Sequence, residues 1–114
     1  EMTRLGCEHG ANPAPFAGLA GVGDLVLTCT GALSRNRSLG VEIGNGRSLA
    51  DVLAGRHTVA EGVDTTVSTV ALATREGVEM PIAAMVYRIL FEGQTAKAAV
   101  PELMARELRA EQDR

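Results

Sequence analysis

Three short stretches of this chain hold side chains that could bind an anion or steady a proton. The first is Asp24, set in the apolar passage FAGLAGVGDLVLTC. A carboxylate in such surroundings has to be paired, hydrogen-bonded or close to a polar cavity, because a lone buried charge is costly. A structural salt bridge or a helix cap is the plain alternative. The second is SRNR at 34–37, which offers a hydroxyl, an amide and two guanidinium groups. Arginine forks onto two phosphate oxygens and a helix N-terminus favours an anion, so the set suits a phosphate. A solvated basic turn with a serine cap at Ser34 accounts for the same residues. The third is VAEGVDT at 59–65, where Glu61 and Asp64 open an amphipathic helix. Acids at that place complement the helix dipole without any ligand.

Other constellations fail on spacing. Gly21 and Gly23 supply the GxG of a dinucleotide loop, but the third glycine would fall at Val26, and no strand precedes the motif. Gly18, Gly21 and Gly23 read instead as a bend or a close approach by another backbone. His9 and His57 stand apart with no companion at ligand spacing, so no metal site is expected. No Ser/His/Asp or Cys/His set can be assembled. Cys7 and Cys29 form no CxxC motif and read as small core fillers.

The elements that must position these groups read as helices throughout. Residues 1–9 form the end of a helix stopped by Gly10 and Asn12-Pro13. Pro15 opens a helix that runs to about Cys29, weakened by its glycines. Ser34 starts one that ends near Gly44–Gly46. Ser48 and Asp51 have capping-box spacing and open LADVLAG, closed by Gly55. Val63, Val67, Val70, Ala71 and Thr74 share one helix face, with Gly77 as the stop. Pro81 starts a helix with Ile82, Met85, Val86, Ile89 and Leu90 inward, ended by Gly93. Thr95 caps the last, with Ala96, Val100, Leu103 and Met104 inward and Pro101 inside it. The pattern predicts an all-α bundle of about six helices.

The 114 residues suit one domain, 1–114. Aromatics make up only 3%, so aliphatic side chains must build the core. The net charge of −3 and the lack of interleaved aromatics give no support to nucleic-acid binding. The longest nearly apolar run, Phe16–Cys29, is too short and too interrupted to span a membrane. A cytoplasmic location is the default expectation. The opening EMTRL has helical spacing but no capping residue before it, which suggests a helix entered midway and a longer parent protein.

Taken in order and spacing, GLAGVGDLVLTCT, SRNR, VAEGV and GVEMPI resemble the C-terminal half of the bacterial NAD(P)-dependent sn-glycerol-3-phosphate dehydrogenases. The resemblance covers nearly the whole chain. It implies an all-α domain like the C-terminal domain of 6-phosphogluconate dehydrogenase, partnered by an N-terminal Rossmann domain absent from this chain. It implies interconversion of dihydroxyacetone phosphate and sn-glycerol 3-phosphate with NAD or NADP, feeding glycerophospholipid synthesis, in an expected homodimer. It places Asp24 in the substrate site beside a catalytic lysine that lies before residue 1. It places Ser34, Arg35 and Asn36 on the substrate, and Arg35, Val59 and Glu61 on the nicotinamide nucleotide. The one lysine here, Lys97, matches no catalytic position. Two other readings stand beside this one. One is a non-catalytic helical dimerisation module. The other is the helical domain of a sister enzyme such as a ketopantoate reductase or a sugar-nucleotide dehydrogenase.

Overall fold

Glycine marks most of the places where this chain stops being helical. Gly10, Gly46, Gly77 and Gly93 all adopt positive φ, between 68° and 100°, where a side chain would be strained. Between these stops the computed structural model, which describes residues 1–30, 35–55 and 61–106, is helical, with no strand among those residues. The helices are α1 (Met2–Glu8), α2 (Ala14–Ala17), α3 (Asp24–Thr30), α4 (Arg35–Gly44), α5 (Leu49–Ala54), α6 (Gly62–Glu76), α7 (Pro81–Phe91) and α8 (Ala96–Met104). A turn of π-helix, Leu19–Gly23, leads into α3. The all-α expectation is met.

Local chemistry explains the starts. Ser48 accepts the Asp51 N–H at 3.2 Å, and Thr95 accepts the Ala98 N–H at 3.2 Å. Each such cap is worth about 1 kcal/mol. Asn12 does the same for α2, accepting from Ala14 N–H at 3.0 Å. Helix α7 starts on Pro81, whose missing N–H costs nothing there. Its next amides, Ile82 N–H and Ala83 N–H, donate to the carboxylate of Glu1. Arg4 donates twice to the Glu79 carbonyl, at 2.8 and 3.2 Å, so α1 is strapped across the α6–α7 corner.

The single helix expected from Pro15 to Cys29 is broken. Gly18 is extended (φ −94°, ψ −164°), and the chain re-enters through the π turn before α3. The reason is a backbone collision. A Cβ at Gly21 would lie 2.2 Å from the Phe16 carbonyl oxygen, so the two backbones meet where only glycine fits. The close approach anticipated from the glycines is real. This break divides one expected helix into two, α2 and α3.

Burial also departs from the expected faces. The buried apolar residues are Leu39, Val52, Ala73, Met80, Met85 and Ala99 among those described. Helix α6 turns Ala73 inward, with Val63, Thr66 and Val70 half-buried, and leaves Val67, Ala71 and Thr74 exposed. The inward stripe is rotated by roughly 60° from the expected one, and Val63 and Val70 belong to both. In α8 the buried residue is Ala99, while Val100 and Met104 face out. In α7 Met85 is buried but Ile82 and Val86 are exposed. Small residues such as Ala73 and Ala99 let the axes approach closely, and this decides the rotation that hydropathy alone does not. Cys29 is exposed and Cys7 half-buried, so the core-filler reading fails for Cys29.

Helix α6 packs on α7, α7 on α8, and α4 on α5 and α8; the principal contacts of α3 are with the π turn and α4. The arm Leu19–Leu27 is therefore apolar and largely uncovered, with Leu19 91% and Leu27 73% exposed. The radius of gyration is 14.8 Å. A compact domain of this length has about 13.3 Å, so the body is open. No helix among the described residues is long and apolar enough to cross a membrane.

Gly21→Ala is expected to destabilise the fold by about 1–3 kcal/mol or more in urea unfolding, because backbone must move. Gly18→Ala, whose Cβ meets nothing closer than 3.7 Å, should be near neutral. Equal effects at the two positions would contradict the packing described.

Candidate functional site

Helices α4 and α6 bring their N-termini together. Gly62, the first residue of α6, donates its N–H to Asn36 Oδ1 at 2.8 Å, across 26 positions of sequence. One residue to each side, Arg35 Nη2 lies 3.8 Å from Glu61 Oε1. The first-turn amides of a helix point out of its N-terminal end and carry a partial positive charge. Two such ends, with a guanidinium and an amide between them, form a surface suited to an anion. Glu61 offsets part of that charge and supplies an acceptor. Arg35 and Glu61 are both exposed, so water screens their pair and both groups remain open to a ligand.

A second tie fixes α4 from behind. Arg37 Nε donates to the Cys29 carbonyl at 3.1 Å, near the C-terminal end of α3. Helix α3 then runs back to Asp24, its first residue, about 9 Å along the axis. Asp24 is exposed, and among the described residues no hydrogen bond or ion pair joins it to Arg35, Asn36 or Glu61. Of the six residues anticipated for the site, Arg35, Asn36 and Glu61 are thus brought together. Asp24, the first residue of α3, makes no hydrogen bond or ion pair with them. Ser34 and Val59 lie outside the described residues, as does His57. Two residues went unanticipated, Arg37 and Gly62. A glycine at the first position of a helix, where no positive φ is required, was the signal for the second.

Two hollows flank α4. One, about 290 Å³, lies between α4, α6, α7 and α8, with Asn36 and Gly62 at its edge and walls that include Leu39, Ile43, Val63 and Ile89. Its hydrocarbon lining does not suit a phosphate. The Thr66 hydroxyl at its side already donates to the Gly62 carbonyl at 2.6 Å. The other hollow, lined by Gly44–Leu49 and Lys97, sits at the opposite end of α4. Lys97 is thereby about 14 Å along that axis from Arg35, so it does not serve this site. His9 Nε2 lies 3.6 Å from Glu76, and no cluster of three His, Cys, Asp or Glu able to hold a metal occurs among the described residues.

Residues 1–101 match the family described as NAD-dependent glycerol-3-phosphate dehydrogenase C-terminus. The chain belongs to this family. Among its curated relatives, the glycerol-3-phosphate dehydrogenase [NAD(P)+] of Geobacter sulfurreducens is 60% identical over 111 residues, covering 97% of this chain and 33% of that protein. The protein of the same name in Citrifermentans bemidjiense is 59% identical over the same shares. A crystal structure of glycerol-3-phosphate dehydrogenase from Coxiella burnetii superposes with a TM-score of 0.87 at 40% identity, covering 92% of this chain and 32% of that one. The chain thus spans a third of the length of these dehydrogenase relatives.

The Arg35–Glu61 pair should contribute little to folding. A double-mutant cycle in urea unfolding is expected to give about 0.2–1 kcal/mol of coupling, the range of exposed ion pairs. A coupling of roughly 3 kcal/mol would mean that the pair is desolvated, against the geometry found.

Proposed function

We propose that this chain is the substrate-binding wall of a dehydrogenase that interconverts dihydroxyacetone phosphate and sn-glycerol 3-phosphate with NADH or NADPH. The observation that supports it most is the joining of the α4 and α6 N-termini through Asn36 and Gly62, which gathers Arg35, Asn36 and Glu61 at one end. The relatives that share this stretch are named for that reaction. In this reading Arg35 and Asn36 hold the phosphate or a neighbouring hydroxyl, with Ser34 beside them. Arg35 also reaches the nicotinamide nucleotide, which Val59 and Glu61 contact. The exposed Arg35 and Glu61 fit such a role, since one can donate to a phosphate and the other accept from an amide or hydroxyl.

The nicotinamide supplies the hydride when bound. A lysine from polypeptide outside this sequence donates the proton to the carbonyl oxygen, or removes it in reverse. Asp24 keeps that ammonium charged and in place. What the residues of this chain add is orientation: a phosphate held at two points sets the ketone carbon against the cofactor. The partner for the bare Leu19–Leu27 arm is the Rossmann domain of the same enzyme, working as a cytoplasmic homodimer in glycerophospholipid synthesis. A large uncovered apolar surface of this kind is what a removed partner leaves behind.

Two assays test this. The 114-residue chain by itself should oxidise no NADH or NADPH with dihydroxyacetone phosphate, and the complete enzyme carrying it should. Turnover by the chain alone would refute the division of labour. In the complete enzyme, Arg35→Ala should lower kcat/KM by about 2–5 kcal/mol, as for a desolvated partner of a charged ligand. An unchanged kcat/KM would remove Arg35 from the site.

A further inference from the structure

The hydrogen bond between Gly62 and Asn36 does more than join two helices. An amide side chain has an acceptor end and a donor end, and in isolation either can face a neighbour. Here the neighbour is a backbone N–H, which must meet oxygen. Asn36 Oδ1 therefore meets the Gly62 N–H, and the two Nδ2 donors are not used in that contact. The same contact is why position 62 is glycine. A Cβ there would lie 2.9 Å from Asn36 Oδ1, 3.0 Å from Cγ and 3.2 Å from Nδ2, flat against the amide plane. Gly62 has no positive φ that would demand glycine for backbone reasons. Its missing side chain is explained by the amide that fills the space.

We propose that Gly62 is a positioning residue, which uses its N–H and its bare Cα to aim the Asn36 donor at the anionic end of the substrate. This rests on the substrate reading given above. The displaced group is the end of a side chain rather than backbone, so an alanine at 62 is accommodated by moving Asn36. Fold stability changes little, while the Asn36 donor shifts from the place that the Gly62 contact gives it.

The test uses the complete enzyme. Gly62→Ala should raise KM for dihydroxyacetone phosphate about ten- to hundredfold, the range for one hydrogen bond to a charged group. Its melting temperature should stay near wild type. The loss should be smaller with unphosphorylated dihydroxyacetone, because no anion is there to be held. On an Asn36→Ala background, Gly62→Ala should add nothing further, which a general structural effect would not produce. An unchanged KM for dihydroxyacetone phosphate, a loss that persists in full on the Asn36→Ala background, or an equal loss with dihydroxyacetone overturns the proposal. Asn36→Asp is the second variant. It keeps an acceptor toward Gly62 but replaces the donor with a negatively charged oxygen, so KM should rise at least as far as in Asn36→Ala. A wild-type KM in Asn36→Asp also overturns the proposal. Wild-type enzyme without activity on dihydroxyacetone phosphate overturns the substrate reading and this proposal with it. An active wild type with an indifferent Gly62→Ala overturns this proposal alone.

Discussion

The contact on which the rest depends is the 2.8 Å hydrogen bond from the Gly62 amide to Asn36 Oδ1. It lies at the first turn of both α4 and α6, where backbone amides have no partner within their own helix. One side chain satisfies one of those amides and joins the first turns of two helices. The charged groups Arg35 and Glu61 are the chain neighbours of this pair. Neither is buried. The nearby core joins Leu39 of α4 to Val52 of α5, with Val63 of α6 packed against them. Helix α4 thus takes part in both the packing and the site.

That packing is thin. The described part of the chain encloses few side chains completely, and its most apolar segment, from Leu19 to Leu27, lies on the outside. The Arg37 tie to the Cys29 carbonyl links that segment to α4.

Much of the fold was legible from residue types alone, because the relevant physics is local. Gly10, Gly46, Gly77 and Gly93 stop helices through their own backbone freedom, and Ser48 and Thr95 cap through atoms three residues away. The break at Gly18 was not legible as a break. It depends on the Phe16 carbonyl reaching Gly21, a matter of backbone path rather than propensity. The inward faces of α6 and α8 were legible only in part, with Val63, Val70, Ala96 and Leu103 half-buried as expected, for a related reason. Hydropathy favours valine and methionine inside, whereas close helix approach favours Ala73 and Ala99. For the site, the anion chemistry of SRNR could be read from its residues, but the role of Gly62 depends on Asn36 lying 26 positions away. No local pattern contains that contact.

A crystal structure of the complete enzyme with sn-glycerol 3-phosphate bound is the most direct measurement. The geometry requires phosphate or hydroxyl oxygens within about 3 Å of the Arg35 guanidinium and of Asn36 Nδ2, at hydrogen-bonding distance. The Gly62 amide should still be on Asn36 Oδ1. A substrate gripped by other residues, with Arg35 and Asn36 turned to solvent, would contradict it.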